Sequence, residues 1–150
     1  MDWLTFFLFF LTCCVAASTG ALFPPNEWYR NLKKPSWNPP DWLFPIAWSI
    51  LYLIIAYVGM RVSLLESQKN FLVALWALQI SLNTIWTPIF FGLNNIKLAM
   101  KFMMGLWLSV LFMVLSYWFA DPISAILICP YFIWVSFAAA LNFRIMQLNC

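Results

Sequence analysis

The chain has 150 residues, 65% of them hydrophobic and 9% charged, with a formal net charge of +3. A soluble domain of this size could not hide so much apolar surface, so the surrounding solvent must itself be apolar and a single integral membrane domain is expected. The scattered cations argue against nucleic acid as a partner, and the absence of histidine and of any C-x-x-C pair argues against a zinc site, a histidine-held haem or a Ser-His-Asp triad.

A spanning helix needs about 20 apolar residues, and five segments qualify. The first covers roughly residues 3–23 and stops at Pro24-Pro25. No positive region precedes it, so it is read as a retained span and not a cleaved signal. A long connection follows, about residues 24–41, which holds three tryptophans or their neighbours among repeated prolines and the cations Arg30, Lys33 and Lys34. The second span covers about 43–65, the third about 70–91 and the fourth about 95–119. The fifth, about 122–148, opens with Asp121-Pro122, an N-cap followed by proline at the first helical position. The apolar runs are continuous and not alternating, so the fold class is all-α, a five-helix transmembrane bundle, and not a barrel.

With five spans the termini lie on opposite sides of the membrane. Arg30, Lys33, Lys34, Lys97, Lys101 and Arg144 gather on one side, Arg61 and Lys69 on the other. The positive-inside rule then places the long loop and the C-terminus in the cytoplasm and the N-terminus outside. All five acidic residues, Asp2, Glu27, Asp41, Glu66 and Asp121, fall at or near helix ends. Charged relays at mid-membrane depth are the usual mark of ion-coupled transport, so the pattern favours an interior that receives a mostly apolar guest.

The interior polar residues are neutral. Gln79, Asn83 and Thr87 share one face of the third span, with Trp86 and Phe90 beside it. Pro88 should bend that helix. Spacing leaves two readings open: a cavity beside the bend, or hydrogen bonds to neighbouring helices. Trp48, Trp86, Trp107 and Trp134 lie deep, where an indole either packs or stacks on a flat ligand, and in both cases its N–H needs a partner. The four cysteines, Cys13, Cys14, Cys129 and Cys150, read as small apolar packing residues.

The run Trp28-Tyr29-Arg30-Asn31-Leu32-Lys33-Lys34-Pro35-Ser36-Trp37-Asn38-Pro39-Pro40, followed by Phe44-Pro45-Ile46-Ala47-Trp48, closely resembles the tryptophan-rich sensory protein family, also called the translocator protein or peripheral benzodiazepine receptor family. So do Asn83-Thr84-Ile85-Trp86-Thr87-Pro88-Ile89-Phe90-Phe91-Gly92 and Pro130-Tyr131-Phe132-Ile133-Trp134, with Leu141-Asn142 following. The resemblance implies a five-helix bundle, usually a homodimer, whose pocket opens toward the first long loop, a lid. It implies ligands among porphyrins and other tetrapyrroles, isoquinoline and benzodiazepine drugs and, in animal members, cholesterol. It also implies a site: Trp48 and Asn83 as a polar-aromatic centre, Trp28, Tyr29 and Trp37 from the lid, and Phe90, Trp134, Ala138 and Ala139 as wall. Trp28 and Trp134 match an aromatic pair implicated in porphyrin photochemistry.

Arg30, Lys33 and Lys34 are suitably signed for tetrapyrrole carboxylates or for anionic lipid. Ala138 and Ala139 leave room either for a ligand or for close helix packing. The sterol motif near the C-terminus requires a tyrosine where Phe143 stands, which puts sterol binding in doubt. Ala74, Ala77 and Ser81 make a small-residue face on the third span, the expected dimer surface, with Ala16-Gly20 and Ala17-Ala21 competing on the first. No cofactor or metal is called for. The expected function is a membrane-embedded binding and sensory protein for porphyrins and other lipophiles. Light-dependent porphyrin breakdown and passive transport are the alternatives.

Overall fold

The computed structural model describes all 150 residues, Met1–Cys150. Helix α1 spans Trp3–Leu22, a short α2 Glu27–Asn31, α3 Leu43–Ser63, α4 Lys69–Thr87, α5 Ile96–Ala120 and α6 Pro122–Asn149. Five of them, counting α4 with its extension to Gly92, are 20 to 28 residues long and apolar enough to cross a membrane. At about 1.5 Å per residue the shortest reaches about 30 Å, the thickness of a hydrocarbon core. The five-span reading therefore holds.

Local chemistry explains the boundaries. Asp2 caps α1 by accepting from the Thr5 amide and hydroxyl, and Pro24-Pro25 follow its end. Asn95 caps α5 through the Leu98 amide. Asn94, just before it, takes a left-handed φ of 52°, which asparagine tolerates better than most residues. Pro88 does interrupt α4: the chain continues as one π-helical turn, Pro88–Gly92, closed by Leu93 N–H to the Pro88 carbonyl at 3.0 Å. At the start of α6, Pro122 takes the first helical position as expected, but the Asp121 carboxylate turns away to Arg61 of α3.

The spans form a closed ring in the order α1, α3, α6, α5, α4 and back to α1, with α3 also touching α4. Helices α4 and α6 are not backbone neighbours; long side chains bridge the space between them. The main core, including Ile55, Val58, Leu72, Trp76, Val110, Met113, Tyr117, Ile128 and Tyr131, fills the ring. A smaller core under the lid holds Tyr29, Ile89, Phe90, Ile96, Leu141 and Ile145. Large apolar residues such as Phe7, Leu11, Ile50, Phe112 and Phe119 point outward, as an apolar solvent permits.

Candidate ligand-binding site

The long connection is partly ordered by its own short helix. Asn26 accepts from the Tyr29 amide, and its Nδ2 donates to the Phe91 carbonyl and to Asn94 Oδ1, both at 3.1 Å. The second tie is Asn149, near the end of α6. Its Oδ1 accepts from Lys33 N–H at 2.9 Å and its Nδ2 donates to the Lys33 carbonyl at 2.8 Å. The segment is thus laid across the ends of α4, α5 and α6, the position a lid requires.

Two aromatic groups lie beneath it. In the first, Trp28 and Tyr29 meet Phe90 edge-on at 5.6 and 6.1 Å between centroids, and Phe90 stacks on Trp86 at 4.9 Å. In the second, Trp37 meets Phe137 at 5.7 Å, Phe137 meets Trp134, and Trp134 meets both Phe44 and Trp48. Trp48 also stacks on Tyr52 at 5.5 Å and meets the edge of Tyr131. Trp28 and Trp134 therefore sit in different groups, each with its own partners.

Asn83 joins the second group through hydroxyls. Tyr52 donates to Asn83 Oδ1 at 3.1 Å, Asn83 Nδ2 donates to the Tyr131 hydroxyl at 3.0 Å, and that hydroxyl donates to Gln79 Oε1 at 2.8 Å. This chain ties α3, α4 and α6 together. Of the two readings left open for Gln79 and Asn83, bonding between helices is present. Ala139 is buried in the main core and Ala138 packs beside it.

Polar satisfaction is incomplete in this region. Gln79 Nε2, Trp134 Nε1 and Asn142 Nδ2 are buried without a partner. An unmade buried hydrogen bond costs about 1–3 kcal/mol, so three in one interior are conspicuous. Two surface hollows flank the bundle. One, about 370 Å³, lies at the lid end between Trp28, Asn94, Lys97 and Asn149. The other, about 340 Å³, lies at the far end beside Arg61 and Asp121. Trp28 is the one expected site residue that borders either; Trp48, Asn83 and Trp134 are closed by direct contacts with one another's neighbours.

The lid cations are differently engaged. Lys34 Nζ stands 4.4 Å over the Tyr29 ring and reaches the Arg30 and Leu32 carbonyls, so it braces the lid. Burial pushes the Tyr29 phenol above its ordinary range, which keeps it neutral under that cation. Arg30 and Lys33 are exposed.

The profile of the TspO/MBR family matches residues 9–148. The chain belongs to the TspO/MBR family. Among its relatives, Protein CrtK of Rhodobacter capsulatus is 47% identical over 96% of this chain and 92% of its own. The tryptophan-rich sensory protein of Cereibacter sphaeroides is 44% identical over 99% and 94%. The human translocator protein is 27% identical over 98% and 91%. As a TspO/MBR member the chain is an integral, multi-pass membrane protein.

Sequence reasoning missed the two asparagine ties and the tyrosines Tyr52 and Tyr131. Tyr52 carried a signal, since it lies one turn from Trp48 and so on the same face. Asn26 and Asn149 carried none, because their partners are 65 and 116 residues away.

Proposed function

We propose that this TspO/MBR member is a binding and sensory protein for porphyrins and other lipophilic molecules, with the guest received under the lid among Trp48, Asn83 and Trp134. The observation that carries the reading is a continuous run of neutral aromatic and amide side chains from the lid into the bundle, with no charged group among them. Such a lining suits a flat apolar ring and offers it a few hydrogen bonds. The side-chain contacts that close this group must part to admit a guest, and the lid's two ties set how readily they do. Exposed Arg30 and Lys33 would face carboxylates left near water. The names of the relatives, sensory and translocator, point the same way.

The test is a tryptophan-fluorescence titration with protoporphyrin on the wild type, Trp48→Ala and Asn83→Ala. Saturable quenching weakened about tenfold or more in each variant is expected; unchanged binding in both removes the site. Photochemical breakdown of a bound porphyrin is the second reading, favoured by the exposed edges that Trp28 and Trp134 contribute to the two aromatic groups. It requires light and oxygen, and equal turnover in dark and light removes it. Passive transport is distinguished by protein-dependent porphyrin flux into liposomes.

The assembly we propose is a homodimer through α4. Phe71, Ala74, Leu78, Ser81 and Ile85 are exposed at alternating spacings of three and four, a seam that a second helix fits. The proposed orientation keeps the lid and C-terminus cytoplasmic, so exposed Cys150 should react with an impermeant thiol reagent only from that side. Membrane lipid surrounds the bundle. Sterol stays a weak candidate ligand because Phe143 replaces the motif tyrosine.

A further inference from the structure

Asn142 is 2% exposed and sits on α6, facing α4. Its Oδ1 accepts from the Trp86 indole N–H at 3.0 Å. An indole nitrogen only donates, so this bond fixes the amide: turning it over would set N–H against N–H. Asn142 Nδ2 is therefore held as a buried donor with no partner. Trp134 Nε1, another donor that cannot be reversed, is also buried and unpartnered. Residues 134, 138 and 142 are spaced i, i+4, i+8 and share one face of α6, so the two donors flank the small side chain of Ala138. Gln79 Nε2, fully buried on α4, is a third.

All three orphans are donors, none is charged, and they border the one side of the ring where α4 and α6 are bridged only by side chains. Trp86, which holds Asn142, stacks on Phe90, and Phe90 touches Trp28 of the lid. The donors thus lie beneath the lid and are linked to it by ring contacts.

We infer that Asn142 is a ligand-anchoring residue: with Trp134 it forms a subsite for a hydrogen-bond acceptor, and the guest it selects is a neutral lipophile carrying a carbonyl oxygen beside an apolar ring. The inference rests on the binding reading above and adds to it the chemical class of the guest. A cation or a molecule offering only donors would leave the three N–H groups unsatisfied. A pure hydrocarbon would gain nothing from them.

The test compares benzophenone with diphenylmethane, which differ by one carbonyl oxygen, for saturable binding to the protein in lipid nanodiscs against empty nanodiscs. Wild type should bind the ketone about five- to tenfold more tightly, the range of one or two net hydrogen bonds. Asn142→Leu keeps the side chain's size and removes both amide atoms; it should bind the two compounds alike, with diphenylmethane affinity within twofold of wild type. Retention of the full ketone preference in Asn142→Leu overturns the inference, as does equal binding of both compounds to wild type, the result expected if water permanently serves the amide. In that second case the binding reading itself stands. No saturable binding of either compound to wild type overturns both. A measurement on wild type alone guards against misfolding of the variant. Near-ultraviolet light makes benzophenone insert into a C–H bond near its carbonyl, and the adduct should map to residues 134–142 of α6 or 83–87 of α4. Adducts confined to the lipid-facing surface overturn the inference.

Discussion

Gly59 holds α1, α3 and α4 together by having no side chain. A Cβ at this position would lie 2.5 and 2.9 Å from two ring carbons of Phe9 and 2.8 Å from Trp76 Nε1. Those rings are not free to retreat. Phe9 and Trp76 meet edge to face at 4.6 Å, and Trp76 Nε1 donates to the Ile55 carbonyl at 2.8 Å, one turn before Gly59 on α3. Gly59→Ala gains about 1 kcal/mol of helix propensity. Against this stand about 1–3 kcal/mol of overpacking and about 1 kcal/mol for a weakened indole bond. The net is a destabilisation of about 1–3 kcal/mol. At about 2–4 °C per kcal/mol for a chain of this length, the melting temperature should fall by about 2–12 °C. The internal control is Gly105→Ala, whose Cβ would meet only Leu82 methyls at 3.7 and 3.8 Å. It keeps the propensity gain and should melt about 2–4 °C higher than wild type. Thermal unfolding of both in one detergent, followed by near-ultraviolet circular dichroism, reads the difference. If Gly59→Ala melts as high as Gly105→Ala, the close approach of the three helices is refuted.

At the far end, Arg61 grips Asp121 through two bonds of 3.0 Å, and Ser124 Oγ also donates to that carboxylate. Burial alone would raise the Asp121 pKa, but the bonds from Arg61 and Ser124 outweigh it and hold the carboxyl below its ordinary 3.8. The stability so gained is present above the ordinary value and is lost as pH falls through the lowered one. Acid unfolding should therefore steepen below about pH 4 in wild type, and Asp121→Asn should be less stable at pH 7 by about 1–2 kcal/mol, since the pair is only partly buried, with a flatter acid limb; parallel pH profiles would count against the clasp. Asn149→Ala removes both bonds to Lys33, so trypsin should cut at Arg30 or Lys33 about tenfold faster, and an unchanged rate would mean the lid is held elsewhere. Ala77→Phe puts a ring on the exposed small-residue face of α4 and should convert dimer to monomer by light scattering in detergent; an intact dimer would move the interface off this helix.

Much of the bundle was legible before any coordinates. Five apolar runs of spanning length, proline pairs after the first, an Asn cap before the fourth and Pro122 at the head of the fifth are local signals, and each lies where its helix begins or ends. The break at Pro88 was equally local, because a missing N–H acts on its own turn; that it would resolve as a π turn was not legible, since the choice depends on how Phe90 and Phe91 pack under the lid. The candidate site was legible as residue types and not as a geometry. Trp28 and Trp134 looked like one pair and belong to two groups.

The amino-acid sequence by itself determined the solvent, the number of spans and the neutrality of the interior, because transfer free energy into a bilayer depends on composition over about 20 residues and not on neighbours. The tertiary structure alone decided the order of helices around the ring, the ties of Asn26 and Asn149 to the lid, the turn of Asp121 toward Arg61, and the stranding of the Asn142 amide by Trp86. Each of these joins groups far apart along the chain, and a hydrogen bond depends on distance and direction in space, which no local pattern in a sequence encodes.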